Sequence, residues 1–283
     1  MTLPPSTASI RADGVVVGGG APPLVIAGPD TLESDELAFG IAEELVRIGE
    51  RLGVALVFKG SYDKANRSSH RSYRGPGIDR GLEILAAVKA RTGLPVTSDV
   101  HGVDEVAPAA RVLDIIQVPA FLCRQNDLLV ACGATGRIIN IKKGQFLSPE
   151  NIGARVEAAT GPSTPGVLVT ERGTTFGHGD LINDFRSIAE MRAEGHPVVF
   201  DATHSVQKPG ALGNRSGGKR ELIPFLARAA AGVGCDAFFF EVHPDPDAAL
   251  CDGPNSLRLD DLDGLLADLL AIDRVARASE RGA

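Results

Sequence analysis

The chain has no tryptophan and only two tyrosines, so the aromatic platforms on which single-stranded nucleic acid stacks are scarce. It has no excess of positive charge either. Lys and Arg number 29 against 36 Asp and Glu, a formal net charge of -7, which argues against a general nucleic-acid binder. Cysteine is sparse: Cys123, Cys132, Cys235 and Cys251 form no C-x-x-C pair. That excludes a zinc knuckle or a thioredoxin-type motif and reads as thiols of a reducing compartment. No apolar run approaches the ~20 residues that span a bilayer. The opening MTLPPSTASIRADG has no basic region followed by an apolar one, so no targeting segment is expected. No G-x-G-x-x-G follows the first apolar run, which removes the dinucleotide fingerprint. These absences leave a cytoplasmic enzyme, with no nucleic-acid and no membrane partner, as the expectation.

What is present is a basic stretch and a rhythm. Residues 58–77, FKGSYDKANRSSHRSYRGPG, carry Lys59, Lys64, Arg67, Arg71 and Arg74 against one acid, Asp63. Guanidinium and ammonium groups on a loop after an apolar run suit an anion; a solvated basic surface loop is the alternative. The rhythm is eight short apolar runs, at 24–27, 54–58, 95–98, 114–118, 138–141, 166–170, 197–200 and 237–240. Between them lie amphipathic segments. In 34–52, Leu37, Ile41, Leu45, Ile48 and Leu52 share one helix face, with Ser34 as N-cap and Asp35 and Glu36 in the first turn. Segments 77–92 and 259–276 repeat the pattern, and 9–17 read as a small hairpin around Asp13-Gly14. Buried strands alternating with helices predict a parallel sheet covered on its faces. Eight units predict a (β/α)8 TIM barrel, an α/β fold, rather than an open doubly wound sheet. No linker divides the chain, so 1–283 is expected to be a single barrel domain, with 1–23 as an N-terminal β-hairpin extension.

In such a barrel the site lies at the C-terminal ends of the strands. The residues there fall into two groups. Lys59, Lys64, Arg67, Lys142 and Arg172 form a cationic group, which repels itself unless an anion of several charges joins it. His204, Glu241, Asp252 and Asp30 form the other. One imidazole with three carboxylates suits a divalent ion of the harder kind, Mn²⁺ or Mg²⁺, or else a hydrogen-bonded histidine among acids. Residues 213–219, GNRSGGK, match the spacing of a phosphate-binding loop, but Arg220 follows where Ser or Thr is needed, and a Gly-rich loop over the barrel mouth is the better reading.

Longer motifs carry a resemblance. They are IAGP (26–29) with Glu33-Ser34, FKGSYDKANRSS (58–69), SYRGPG (72–77), SDVH (98–101), IIQVPAFLCRQ (115–125), INIKKGQF (139–146), ERG (171–173), FDATHSVQ (200–207), EVHPDPD (241–247) and CDGPNS (251–256). In this order the chain resembles the 3-deoxy-D-manno-octulosonate 8-phosphate synthase family over nearly its whole length. The resemblance implies a homotetrameric barrel with the hairpin under its floor. It implies condensation of phosphoenolpyruvate with D-arabinose 5-phosphate and release of phosphate. It assigns Lys59, Lys64, Gln117, Pro119, Ala120, Lys142, Arg172 and His204 to phosphoenolpyruvate. Asn66, Arg67 and Ser68 go to the sugar phosphate, in the site of a neighbouring subunit. Lys64, Lys142, His204 and Asp99 are the candidate catalytic residues. Metal-dependent relatives have Cys after IAGP and metal-independent ones Asn, where this chain has Asp30. His204, Glu241 and Asp252 remain, and Asn255 follows the metal-dependent pattern. A divalent metal (Mn, Mg, Zn or Fe) on Asp30, His204, Glu241 and Asp252 is therefore expected, with metal-independent chemistry as the alternative. Gly60 and His178 stand where Ser and Tyr are usual, which keeps open another aldose phosphate acceptor or a non-catalytic sugar-phosphate-binding homologue.

Overall fold

The computed structural model describes residues 7–65, 73–176, 179–208 and 217–281. Among these, eight strands form a closed parallel barrel: β1 (Leu24–Gly28), β2 (Leu56–Lys59), β3 (Val96–Asp99), β4 (Ile115–Val118), β5 (Ile138–Lys142), β6 (Val167–Glu171), β7 (Val198–Asp201) and β8 (Ala237–His243). Each strand pairs in parallel with the next, and β8 pairs with β1 to complete the ring. The helices are α1 (Asp35–Leu52), α2 (Ile78–Thr92), α3 (Val103–Ala110), α4 (Asn126–Gly133), α5 (Gly153–Ala159), α6 (Arg186–Ala193), α7 (Ile223–Val233) and α8 (Leu259–Arg281). The expected (β/α)8 architecture is what the chain adopts. No described helix is long and apolar enough to cross a membrane.

Local chemistry sets the element ends. Ser34 caps α1 by accepting from Leu37 N at 3.1 Å. Gly53 ends the helix in the left-handed region at φ 64°, where a side chain would add strain. Val54 N bonds back to Gly49 O, so β2 starts at Leu56, later than the apolar run suggests. β8 runs to His243, beyond the expected end, because Val242 and His243 gain an added parallel partner in Leu257–Arg258.

Two cores follow from the strand period of two. Outward residues such as Phe58, Ile116, Ile139, Phe238 and Phe240 pack against the helices. Inward residues Leu24, Ile26, Val57, Ile115, Ile138, Leu168, Val199, Ala237 and Phe239 form a second cluster with Ile10, Val15 and Val17. Those last three belong to the hairpin of Ile10–Ala12 and Val15–Val17, which pair in antiparallel register. Its turn, Asp13 at φ 49° and Gly14 at φ 80°, has the doubly left-handed form that suits a two-residue hairpin loop. The hairpin closes the N-terminal end of the barrel, as expected. Each aliphatic side chain buried there stabilises by roughly 1.5–3 kcal/mol.

Candidate active site

At the C-terminal end the inward positions turn polar. A cavity of about 310 Å³ opens there. Among the described residues it is lined by Asp63, Lys64, Ala65, Asp99, His101, Pro119, Ala120, Phe121, Leu122, Lys142, Gln145, Arg172, His204 and Glu241. The size suits a metabolite. Of the expected site residues, Lys64, Asp99, Pro119, Ala120, Lys142, Arg172, His204 and Glu241 share its wall. Pro119 and Ala120 stand at the start of the single 3-10 turn Ala120–Leu122 that follows β4. Asn66, Arg67 and Ser68 lie outside the described residues, as does His178.

The cationic wall is built from the ends of β5 and β6, with Lys64 added from the loop after β2. Lys142, the last residue of β5, has its Nζ 2.9 Å from Asp201 Oδ2 and 3.8 Å from the centre of the Phe239 ring. Arg172 follows β6 and is 5% exposed. Its Nη2 donates to Gln207 Oε1 at 3.1 Å, while its buried Nε and Nη1 have no hydrogen-bond partner. Burial lowers its pKa against the pull of Asp201 and Glu171, yet a guanidinium stays charged. A buried cation with two unpartnered nitrogens in a cavity wall suits an anion.

Two expected substrate contacts have other engagements. Lys59 does not line the cavity; its Nζ donates to Pro29 O at 3.2 Å, Asp30 O at 2.7 Å and Glu241 Oε1 at 2.8 Å. Three acceptors use all three of its N–H groups. The approach needs Gly28, where a Cβ would fall 1.9 Å from the Lys59 carbonyl oxygen. Gln117 is fully buried in a chain that crosses four strands. Ser61 Oγ and Gln117 Nε2 each donate to Asp99 at 2.7 Å, Asn140 Nδ2 donates to Gln117 Oε1 at 3.0 Å, and Thr170 Oγ1 donates to Asn140 Oδ1 at 2.6 Å. Burial opposes charge on Asp99, but Lys142, Lys59 and His101 outweigh it and hold its pKa at about 2. Asp99 therefore faces the cavity as a fixed carboxylate.

The second expected group is brought together. His204, Glu241 and Asp252 each place a ligand atom within 4.8 Å of the others, and Asp30 does so with Cys251 and Asp252. His204 Nδ1 lies 2.8 Å from Asp201 Oδ2, though off the line of a good hydrogen bond, and Nε2 lies 3.6 Å from Glu241 Oε1. Burial and Lys142 lower the His204 pKa below its usual value despite Asp201 and Glu241. A ring with its proton on Nδ1 would turn the Nε2 lone pair toward Glu241. Glu241 Oε2 is buried without a hydrogen-bond partner. Converging acceptors of one nitrogen and several carboxylate oxygens fit a divalent cation. Lys64 reaches into the same group: its Nζ contacts Asp30 Oδ1 and lies 3.8 Å from Glu241 Oε1 and 3.7 Å from Asp252 Oδ2. Burial and Glu241 raise Asp30 to about 7, against the opposing pull of Lys64.

Three participants lie outside the expected groups: Ser61 donates to Asp99, Gln145 lines the cavity, and Gln207 bonds both Arg172 and Asp252. Asp201 and Asn140 stand at strand ends, where position along the chain marks them; Ser61 and the two glutamines had no charge to mark them. The adjacent Lys143 points the other way, buried against Glu171 Oε2 at 3.3 Å and Leu147 O at 3.2 Å. In GNRSGGK, Gly217–Gly218 pairs with Gln207–Lys208, and 213–216 lie outside the described residues.

A profile of the DAHP synthetase I family matches residues 6–273. The 2-dehydro-3-deoxyphosphooctonate aldolase of Citrifermentans bemidjiense is 52% identical over 269 residues, covering 95% of this chain and 98% of the relative. That of Pelobacter propionicus is 53% identical over 274 residues, covering 96% and 100%. That of Desulfosudis oleivorans is 54% identical over 271 residues, covering 95% and 97%.

Proposed function

The chain belongs to the DAHP synthetase I family, and from that premise we propose that it condenses phosphoenolpyruvate with D-arabinose 5-phosphate and water. The products are 3-deoxy-D-manno-octulosonate 8-phosphate and inorganic phosphate. Relatives bearing the aldolase name across essentially the whole chain support this reaction. Nothing in the comparisons favours a different acceptor or a non-catalytic role. The observation that carries the reading is Arg172, a buried guanidinium with two unpartnered nitrogens in the wall it shares with Lys64 and Lys142.

In the reaction the C3 carbon of phosphoenolpyruvate forms a bond to the aldehyde carbon, whose oxygen becomes a hydroxyl. Water supplies the new oxygen at C2, and C–O cleavage expels phosphate. Arg172, Lys64 and Lys142 hold the phosphate and carboxylate of phosphoenolpyruvate, with Pro119 and Ala120 shaping the wall beside them. Asp201 holds Lys142 and His204 in place. Asp99, kept ionised, accepts a hydrogen bond from a hydroxyl of the acceptor at a free lone pair. Catalysis comes from holding two anions in register and from fixed charges aimed where charge develops. Asp30, His204 Nε2, Glu241 and Asp252 would hold a divalent cation, which supplies Lewis acidity at the aldehyde oxygen. Asn66, Arg67 and Ser68 complete the acceptor side within a homotetramer.

Incubation with phosphoenolpyruvate and a panel of pentose and hexose phosphates tests the reaction. Phosphate release with arabinose 5-phosphate is expected; release only with another sugar would overturn the acceptor. Metal analysis with a chelator assay tests the cation. Full activity in EDTA with no bound metal would remove that ligand set. Sedimentation tests the assembly, with an expected mass near four times 29.5 kDa.

A further inference from the structure

Gln207 belongs to neither expected group, yet it touches both. It follows the 3-10 turn His204–Val206 and opens the short strand Gln207–Lys208. Its Oε1 accepts from Arg172 Nη2 at 3.1 Å, and its Nε2 donates to Asp252 Oδ2 at 3.0 Å. Among the described residues, the bond to Gln207 is the hydrogen bond that fixes the Arg172 guanidinium. At the other end, Asp252 sits at φ 44° and ψ 24°, the left-handed region that aspartate enters more readily than most side chains.

We propose that Gln207 is a positioning residue that ties the anion pocket to the cation cluster, setting the direction of Arg172 and of the Asp252 carboxylate with one amide. The requirement is chemical. One neighbour is a donor and the other an acceptor, so the side chain between them must accept on one side and donate on the other. A side-chain amide does both without changing its protonation state. A glutamate here would pair with Arg172 and compete with the substrate's anion, while adding a second carboxylate beside Asp252. A methionine would fill the space and hold neither partner. The inference rests on the proposed roles of Arg172 and Asp252.

The test is calorimetric, on the full chain, with phosphoenolpyruvate alone and with Mn²⁺ alone, for the wild type, Gln207→Glu and Gln207→Met. Opposite signs are the signature. Gln207→Glu should weaken phosphoenolpyruvate binding by about tenfold or more and tighten Mn²⁺ binding by about tenfold. Gln207→Met should weaken both by about tenfold, the scale for outer-shell partners. A merely structural residue would move both ligands the same way in both variants, and that result overturns the proposal. So does binding within twofold of wild type throughout. If the wild type takes up no Mn²⁺, the cation reading fails separately and phosphoenolpyruvate binding decides: a tenfold loss in Gln207→Glu, larger than in Gln207→Met, upholds the tie to Arg172. Should Gln207→Glu not fold, unchanged phosphoenolpyruvate affinity in Gln207→Met overturns the proposal.

Discussion

The floor and the mouth of the barrel are made by the same strands, two residues apart. Val57 faces the floor and Lys59 the mouth. Ile115 gives way to Gln117, Ile138 to Asn140 and Lys142, Leu168 to Thr170, Val199 to Asp201, and Phe239 to Glu241. One step of the pleat, roughly 6.5–7 Å, separates an apolar layer sealed by a hairpin from a layer of buried charge. The backbone is equally regular in both. The two layers differ in what burial costs: aliphatic side chains gain from it, whereas charges tolerate it only when paired or when a ligand completes the pairing.

That contrast can be broken from either side. The largest effect is expected at the mouth. Lys142→Ala should lower kcat/KM by more than about 100-fold, the scale of removing a main electrostatic contact, measured by phosphate release. A loss under tenfold would mean the mouth cations do not hold the substrate. At the floor, Leu168→Ala should cost about 2–5 kcal/mol of stability through lost burial and a cavity, read by urea unfolding. Its folded fraction should keep kcat/KM within about threefold. A large catalytic loss there would erase the division between layers.

The smallest effect sharpens the comparison through pH. The folded chain holds the Asp30 proton up to about 7, while the unfolded chain releases it near 3.8. Between those values the folded state binds more protons, so this group makes stability fall as pH rises from 4 to 7. Asp30→Asn removes that slope. Its Tm should exceed that of the wild type by a few degrees at pH 8 and by less at pH 5, by differential scanning fluorimetry at both values. A wild-type chain with no such slope would show that Lys64 neutralises Asp30 completely.

Much of the floor was legible in the sequence because its physics is periodic. The eight apolar runs, the Ser34 cap and the Asp13-Gly14 turn each declare themselves locally, and only ends set by partners, such as the extension of β8 beside Leu257–Arg258, escaped. The mouth was legible by chemistry rather than geometry. Position after a strand picked out Lys142, Arg172, His204 and Glu241. It could not tell that Lys59 spends its donors on Pro29, Asp30 and Glu241, or that Lys143 turns into the wall while its neighbour faces the cavity. Nor could it find what Gln207 and Asn140 bond to, since Asp252 and Gln117 lie 45 and 23 residues away from them.

The buried chain from Thr170 through Asn140 and Gln117 to Asp99 has a direction. Every donor in it faces Asp99, and Ser61 faces the same carboxylate from the other side. An amide alone has no reason to prefer one orientation over its flipped twin; the charge at the end of the row acts as a compass for both. Demagnetise it, as in Asp99→Asn, and Asn140 and Gln117 gain a second self-consistent arrangement. Each of their side-chain amide signals would then be expected to double in an NMR spectrum, a disorder written across several strands by the loss of one electron's worth of charge.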